Sequence, residues 1–191
     1  MTAQVSDTVV HNGLVYSLAE YEGSGLFDPK DHGFEPVSFM TACWRGFICQ
    51  YGVVDQQLIL IQLRMGLSHV DSEKAKLLKV FGKDCSIDAS DWLGATITNI
   101  SLPVPFDGSM LIGRDFIKHL YVHMGFHPAY KYRDVWELSF HNGRLVAAMD
   151  ISESMREHRK THVEELPDPS DVEQTKKWIM DTFSRRRRDK S

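Results

Sequence analysis

The side chains best suited to chemistry in this 191-residue chain form a ladder, Asp115-x3-His119-x3-His123-x3-His127. At four-residue spacing on a helix, Asp115, His119 and His123 share one face. Two histidines so placed, joined by a carboxylate, are a known way to hold zinc. The pattern is incomplete, because Gly125 would stop the helix before His127. No Glu beside His119 offers the base of a metalloprotease. Asp115, His119 and His123 are therefore weak metal candidates, and the sequence predicts no metal and no other cofactor.

A second combination is Trp44, Arg45 and His123. Arg45 stands among bulky apolar residues. Buried, it needs a carboxylate or several carbonyls; at a rim, its stem would pack on an aromatic ring. Arg45 and His123 meeting in one pocket would hold an anion beside an acid–base group. Cys43 or Cys49 near His123 would make a nucleophile pair, but nothing local activates either thiol. P-loop, GxGxxG, GxSxG and HExxH patterns are absent. Glu164-Glu165 reads as solvated charge, and Trp92 and Trp136 read as core or rim aromatics. No catalytic set is complete.

The three cysteines carry little. Cys43 and Cys49 lie about 20 Å apart at strand rise, too far for a disulfide. Cys85 is isolated, and buried inert thiols are expected.

The elements that must position these groups are mostly strands. Thr41 to Leu63 is the most strand-like stretch. In it, residues 37–51 are expected as one strand. Cys43, Arg45, Phe47, Cys49 and Tyr51 would share one face, and Trp44, Gly46, Ile48 and Gln50 the other. Gly46 suggests a bulge or a close neighbour. Asp55-Gln56-Gln57 is a turn, and Leu58–Leu63 an antiparallel return. Asn12-Gly13 and Asn142-Gly143 mark two further hairpins. Shorter strands are expected at 95–102 and 110–112, with loops at 22–36 and 83–93. Helices are expected from Asp71 or Ser72 to Phe81, from Arg114 to Met124, and from Ser152 to Glu165. A last one starts at the capping box Ser170-Asp-Val-Glu173, with Val172, Trp178, Ile179 and Phe183 as an apolar stripe that docks on the sheet.

Composition, 42% apolar and 25% charged, is that of a globular chain. No apolar run is long enough to span a bilayer. The N-terminus has no basic region followed by an apolar one, so no signal peptide and a cytoplasmic location are expected. Charge is uneven. Residues 184–191 hold four Arg and one Lys against one Asp, for +4; the chain is −4, so residues 1–183 carry −8. An acidic body favours basic partners over nucleic acid, which only the tail would touch.

Cys43-Trp-Arg-Gly-Phe47 and Tyr121-Val-His-Met-Gly-Phe126, followed by the Trp-Glu-Leu-Ser-Phe strand and its hairpin, resemble a group of small, uncharacterised bacterial proteins. Those proteins carry W-R-G-aromatic and H-M-G-aromatic segments. The resemblance covers residues 8–150 and implies a compact β-rich fold with no established activity. His123 matches that pattern, while His119 and His127 do not.

The expected fold is α+β: an antiparallel sheet of about seven strands, curled or sandwich-like, with two or three packed helices. Residues 1–150 would form the β-rich core, 151–184 a helical extension and 185–191 a disordered basic tail. The expected function is non-enzymatic protein binding, with a toxin-neutralising immunity protein facing a basic toxin as its most specific form. The alternative is a small-ligand binder or enzyme with an anion pocket at Arg45 and His123.

Overall fold

Asn12 and Gly13, both at positive φ, turn β1 (Thr8–His11) into β2 (Leu14–Ser24). Asp55 and Gln56, at φ 49° and 63°, do the same between β3 (Phe47–Val54) and β4 (Gln57–Gly66). Such turns match the right-handed twist of the strands they join. The structure, a computed structural model, describes residues 2–89, 94–162, 168 and 170–187. After β4 come α1 (Val70–Phe81), β5 (Ser86–Asp88), β6 (Gly94–Thr98), β7 (Leu102–Pro103) and β8 (Asp107–Phe116). β9 (Tyr132–His141) and β10 (Arg144–Asp150) form the Asn142-Gly143 hairpin, followed by α2 (Ser152–Thr161) and α3 (Val172–Thr182).

The described strands make one ten-stranded sheet, antiparallel except where β1 meets β3. The path β10-β9-β8-β2-β1-β3-β4 closes on itself, because β10 also meets β4 at Arg144 and Gln57. β6 and β7 share the rest of that edge of β4, and β5 pairs with β6. The fold is thus α+β as expected, with a larger sheet than the seven strands foreseen.

The ring is filled. Leu18, Cys49, Tyr51, Leu58, Leu60, Leu63, Met65, Ile97, Met110, Ile112 and Leu138 are buried in one cluster. Each fully buried Leu stabilises by about 2 kcal/mol over exposure. A second, smaller cluster lies apart from it: Ala19, Leu111, Ala129, Tyr132 and Val135, with Ile151 and Met155 against it. Leu111 and Met110 belong to different clusters because neighbours on a strand face opposite ways. α2 packs here, against β9.

Several expected elements differ. Arg114–Met124 is no helix: β8 runs through Phe116, and only a short 3-10 turn at Lys118–Leu120 follows. The strand expected at 110–112 is the middle of β8, and at its end Arg114 and Asp115 are exposed side by side, Asp115 at φ 59°, which breaks the alternation. The strand expected at 37–51 begins only at Phe47. Gly46, at φ 79°, turns the chain into it, and a Cβ there would stand 2.7 Å from the Val37 carbonyl oxygen. α1 starts at Val70, after His69, which makes no side-chain cap. α3 is capped by Asp171, whose carboxylate accepts from the Gln174 N–H, and not by the Ser170 box. Residues 22–36 and 83–93 were expected as loop, but β2 runs on to Ser24, a 3-10 turn spans Pro29–His32 and β5 occupies Ser86–Asp88. Trp92, Glu164 and Glu165 lie outside the described residues.

Candidate functional site

The residues singled out in the sequence do not converge. With no helix at 114–124, Asp115, His119 and His123 share no helix face. Asp115 pairs with Arg133 at 3.3 Å on the surface, His119 is exposed, and His123 Nδ1 lies 3.0 Å from the Tyr121 hydroxyl. Among the described residues no three His, Cys, Asp or Glu side chains are grouped to hold a metal. Arg45 lines a cavity of about 310 Å³ that His123 does not line. Trp44 is half exposed and stacks on Phe183, ring centroids 4.7 Å apart. The thiols of Cys43, Cys49 and Cys85 are free and buried, and burial pushes Cys43 and Cys49 up. They are poor nucleophiles in that state.

Arg45, its side chain 23% exposed, is paired with a buried carboxylate. Asp7, 1% exposed, accepts through Oδ1 from Arg45 Nη2 and from the Cys49 N–H at 2.6 Å. Its Oδ2 accepts from Arg185 Nη1 at 2.6 Å. Burial by itself would raise the Asp7 pKa, but the Arg185 and Arg45 guanidiniums and these hydrogen bonds outweigh it and hold the carboxyl at about 2. The Arg45 guanidinium also lies over the Phe47 ring, 4.4 Å from its centroid.

Arg185 belongs to the stretch expected as a disordered tail. Instead, the Tyr21 N–H donates to the Arg185 carbonyl at 2.8 Å, and the Arg187 N–H donates to the Tyr21 carbonyl at 2.8 Å. Arg187 Nη1 reaches Glu137 at 2.5 Å. Residues 185–187 thus add to β2 beyond the end of β1, fixed by an acid on each side. Arg188–Ser191 carry +1, so the body with its bound arginines, residues 1–187, carries −5 rather than the −8 of residues 1–183. Asp7 gave no signal in the sequence; an Arg run beside an acidic body did.

β10 is the most exposed strand. Val146 is 63% and Met149 60% exposed, and Ala147, Ala148 and Asp150 are exposed between and beyond them. Ring closure happens only at its start, where the Leu58 N–H donates to the Gly143 carbonyl and the Leu145 N–H to the Gln56 carbonyl, at 2.8 and 2.7 Å. A bulge between Leu145 and Ala147 then turns the strand away from β4. From Ala147 to Asp150, β10 pairs with β9 alone among the described residues. Among the described residues the outer edge of this stretch has no strand beside it, and its side chains are exposed on both faces.

A third feature is a cavity of about 560 Å³ between β2, the chain around Tyr130, α2 and α3. His158 of α2 and His162, the residue just past its end, line it with ring centroids 4.8 Å from each other. Tyr130 lies 4.6 Å from His162. Arg159 ties the helix to this wall, donating to the Tyr130 and Tyr132 carbonyls at 2.8 and 2.9 Å. The His-x3-His spacing was legible in the sequence but was overlooked in favour of the 115–127 ladder.

Compared with protein-family models, with curated proteins and with solved structures, the chain matches none. No helix among the described residues is long and apolar enough to cross a membrane.

Proposed function

We propose that this protein binds another protein, taking an extended segment of its partner along the open edge of β10. One observation carries the reading: an apolar strand, Val146 to Met149, with large side chains more than half exposed and one edge unpaired among the described residues. Open edges of this kind are templates for added strands, and folded proteins ordinarily shorten, charge or cover them. Leaving Val146 and Met149 in water gives up about 1.5–3 kcal/mol of burial each, which a partner would recover. The net charge of −5 on residues 1–187 favours a basic partner and speeds encounter. Toxin neutralisation is the most specific form of this activity, with a basic toxin as the partner.

The test places a photo-crosslinking residue at Met149 in cells that carry the gene, with a control at the exposed Val54. A single partner captured from position 149, and lost in Val146→Lys, is the expected result. Equal capture from both positions, or none, would remove the reading. With the partner in hand, its association should slow as salt rises. A salt-independent on-rate would dismiss the charge argument alone.

A further inference from the structure

The cavity that Arg45 lines lies at one end of the closed sheet: Asp7 precedes β1, Phe47 begins β3 and Tyr21 stands late in β2. Mouths of closed sheets are common ligand sites, and about 310 Å³ is at the lower end of their volumes. No residue of β10 lines it, so it stands apart from the strand-adding edge. Its charges do not cancel. Lys30, Arg45 and Arg185 carry three positive charges against the two negative ones of Asp7 and Asp28, which leaves one in excess. Both guanidiniums share Asp7, Arg45 through Nη2 and Arg185 through Nη1. One carboxylate cannot satisfy two such forks, each with several N–H donors. Arg45 Nε is buried with no hydrogen-bond partner among the described residues, a rare state for a donor. Lys30 is exposed on the same cavity, and its ammonium has no ion-pair partner among the described residues.

The rest of the lining is mostly apolar. Phe27 and Phe47 are buried, and Tyr21 and Leu26 pack against the same core. Ring faces are already in use, since His32 stacks on Phe27 at 4.9 Å and Arg45 covers Phe47 at 4.4 Å. The walls therefore suit an apolar body without selecting a flat one. A guanidinium fork matches a carboxylate, and the single excess charge matches a monoanion rather than a dianion. We propose that this cavity binds a small apolar monocarboxylate, a short alkyl or single-ring acid. Its carboxylate meets Arg45, whose guanidinium is held in place by the Phe47 ring. Arg185 occupies the second oxygen of Asp7, so that acid is not left to claim the whole of Arg45. Lys30 adds its charge from the exposed side. Tyr21, Leu26 and Phe27 face the body of the acid. Arg45 thus keeps the anion-binding role foreseen for it, without His123.

Calorimetry on the full chain tests this with hexanoate and benzoate, their neutral amides, acetate and inorganic phosphate. At least one of the two acids should bind about tenfold more tightly than its own amide, than acetate and than phosphate. Arg45→Lys keeps a charge facing Asp7 but loses the planar fork, and should weaken that acid about fivefold. Lys30→Ala, at an exposed position and so compatible with folding, should weaken it about threefold. Failure of both acids to bind at millimolar concentration would overturn the proposal. An amide binding as tightly as its acid would remove the role of the charge. Acetate or phosphate binding as tightly would remove the role of the apolar walls. Either result would overturn the ligand class. Unchanged affinity in both variants would place the acid elsewhere and end the assignment; where Arg45→Lys does not fold, unchanged affinity in Lys30→Ala does so alone.

Discussion

Asp7 and Arg185 are 178 positions apart in the chain, and their side chains meet at 2.6 Å in the interior. The contact fastens the C-terminal segment to the start of β1, and with Arg45 it gives one buried carboxylate two cationic partners. Removing the acid leaves both guanidiniums without it, and a buried charge without its partner is costly. Asp7→Ala should therefore destabilise by about 3–5 kcal/mol in urea denaturation. Arg185→Ala should cost less, about 1–3 kcal/mol, because Arg45 and the Cys49 N–H still serve Asp7. A double-mutant cycle showing no coupling between positions 7 and 185 would contradict the geometry.

The pH dependence follows from two buried groups. Asp7 titrates at about 2 in the folded chain against an ordinary 3.8. A depressed carboxylate stabilises above its unfolded pKa, and the benefit disappears as pH falls through the folded value. This amounts to about 2 kcal/mol, present above pH 4 and lost between about 4 and 2. His11 is 5% exposed, and burial lowers its pKa below 6.5. Asn12 Nδ2 lies 3.2 Å from its Nε2, a contact that needs that nitrogen unprotonated. The unfolded chain takes up the His11 proton first, so stability also falls as pH drops below about 6.5. Denaturation midpoints should decline in two windows. His11→Phe should flatten the upper one and Asp7→Asn the lower. A flat profile between pH 7 and 3 would refute both assignments.

The sequence showed the parts of the fold that depend on local chemistry. The Asn12-Gly13, Asp55-Gln56 and Asn142-Gly143 turns stand where their positive-φ residues imply. β8 is expected only at 110–112; its continuation reads as the start of a helix because Arg114 and Asp115 are consecutive exposed residues, so the alternation that marks a half-buried strand stops there. Arg45 combines the two readings that its sequence setting allows, partly exposed over the Phe47 ring and paired with a carboxylate. Which carboxylate was out of reach, because Asp7 stands among Ser6 and Thr8 with no feature to distinguish it. Residues 185–187 of the expected disordered tail are docked for a general reason. A run of arginines is solvated when nothing answers it, and here Asp7 and Glu137 do, at positions brought together only by the closed sheet. The openness of β10 was equally invisible, since Leu145–Met149 reads as an ordinary apolar strand.

Gly113 has its place through contact rather than turn geometry. A Cβ there would lie 2.5 Å from Tyr132 Cγ, and Tyr132 is packed edge-on to Phe116 at 5.3 Å. The ring is nearly buried and cannot swing away without disturbing the second cluster. Gly113→Ala should destabilise by about 1–3 kcal/mol, the usual range for overpacking. Gly13→Ala has nothing within 4 Å to strike. It should lose only what its positive φ costs, about 1 kcal/mol. Thermal melts of the two variants should rank in that order, and the reverse order would place the Tyr132 ring elsewhere.

α3 contains no fully buried residue, so its position depends on contacts at its C-terminal end. Trp44 stacks on Phe183 at 4.7 Å, the Phe126 N–H donates to the Thr182 carbonyl at 2.8 Å, and Arg185 reaches Asp7. These contacts hold one continuous stretch of chain, so they act together. Phe183→Ala removes the stack and should raise amide exchange across residues 172–182 about tenfold, a loss of about 1.4 kcal/mol of local stability. Arg185→Ala should release the same amides, since it frees the same stretch from its other end. Both contacts stabilise one docked state, so the double variant should lose about the sum of the two. Exchange at 172–182 left unchanged by Arg185→Ala would mean that α3 and the arginine segment open separately. Exchange in β3 and β4 should be unchanged by Phe183→Ala, because their cores are closed by Leu60, Leu63 and Tyr51 rather than by the C-terminal segment.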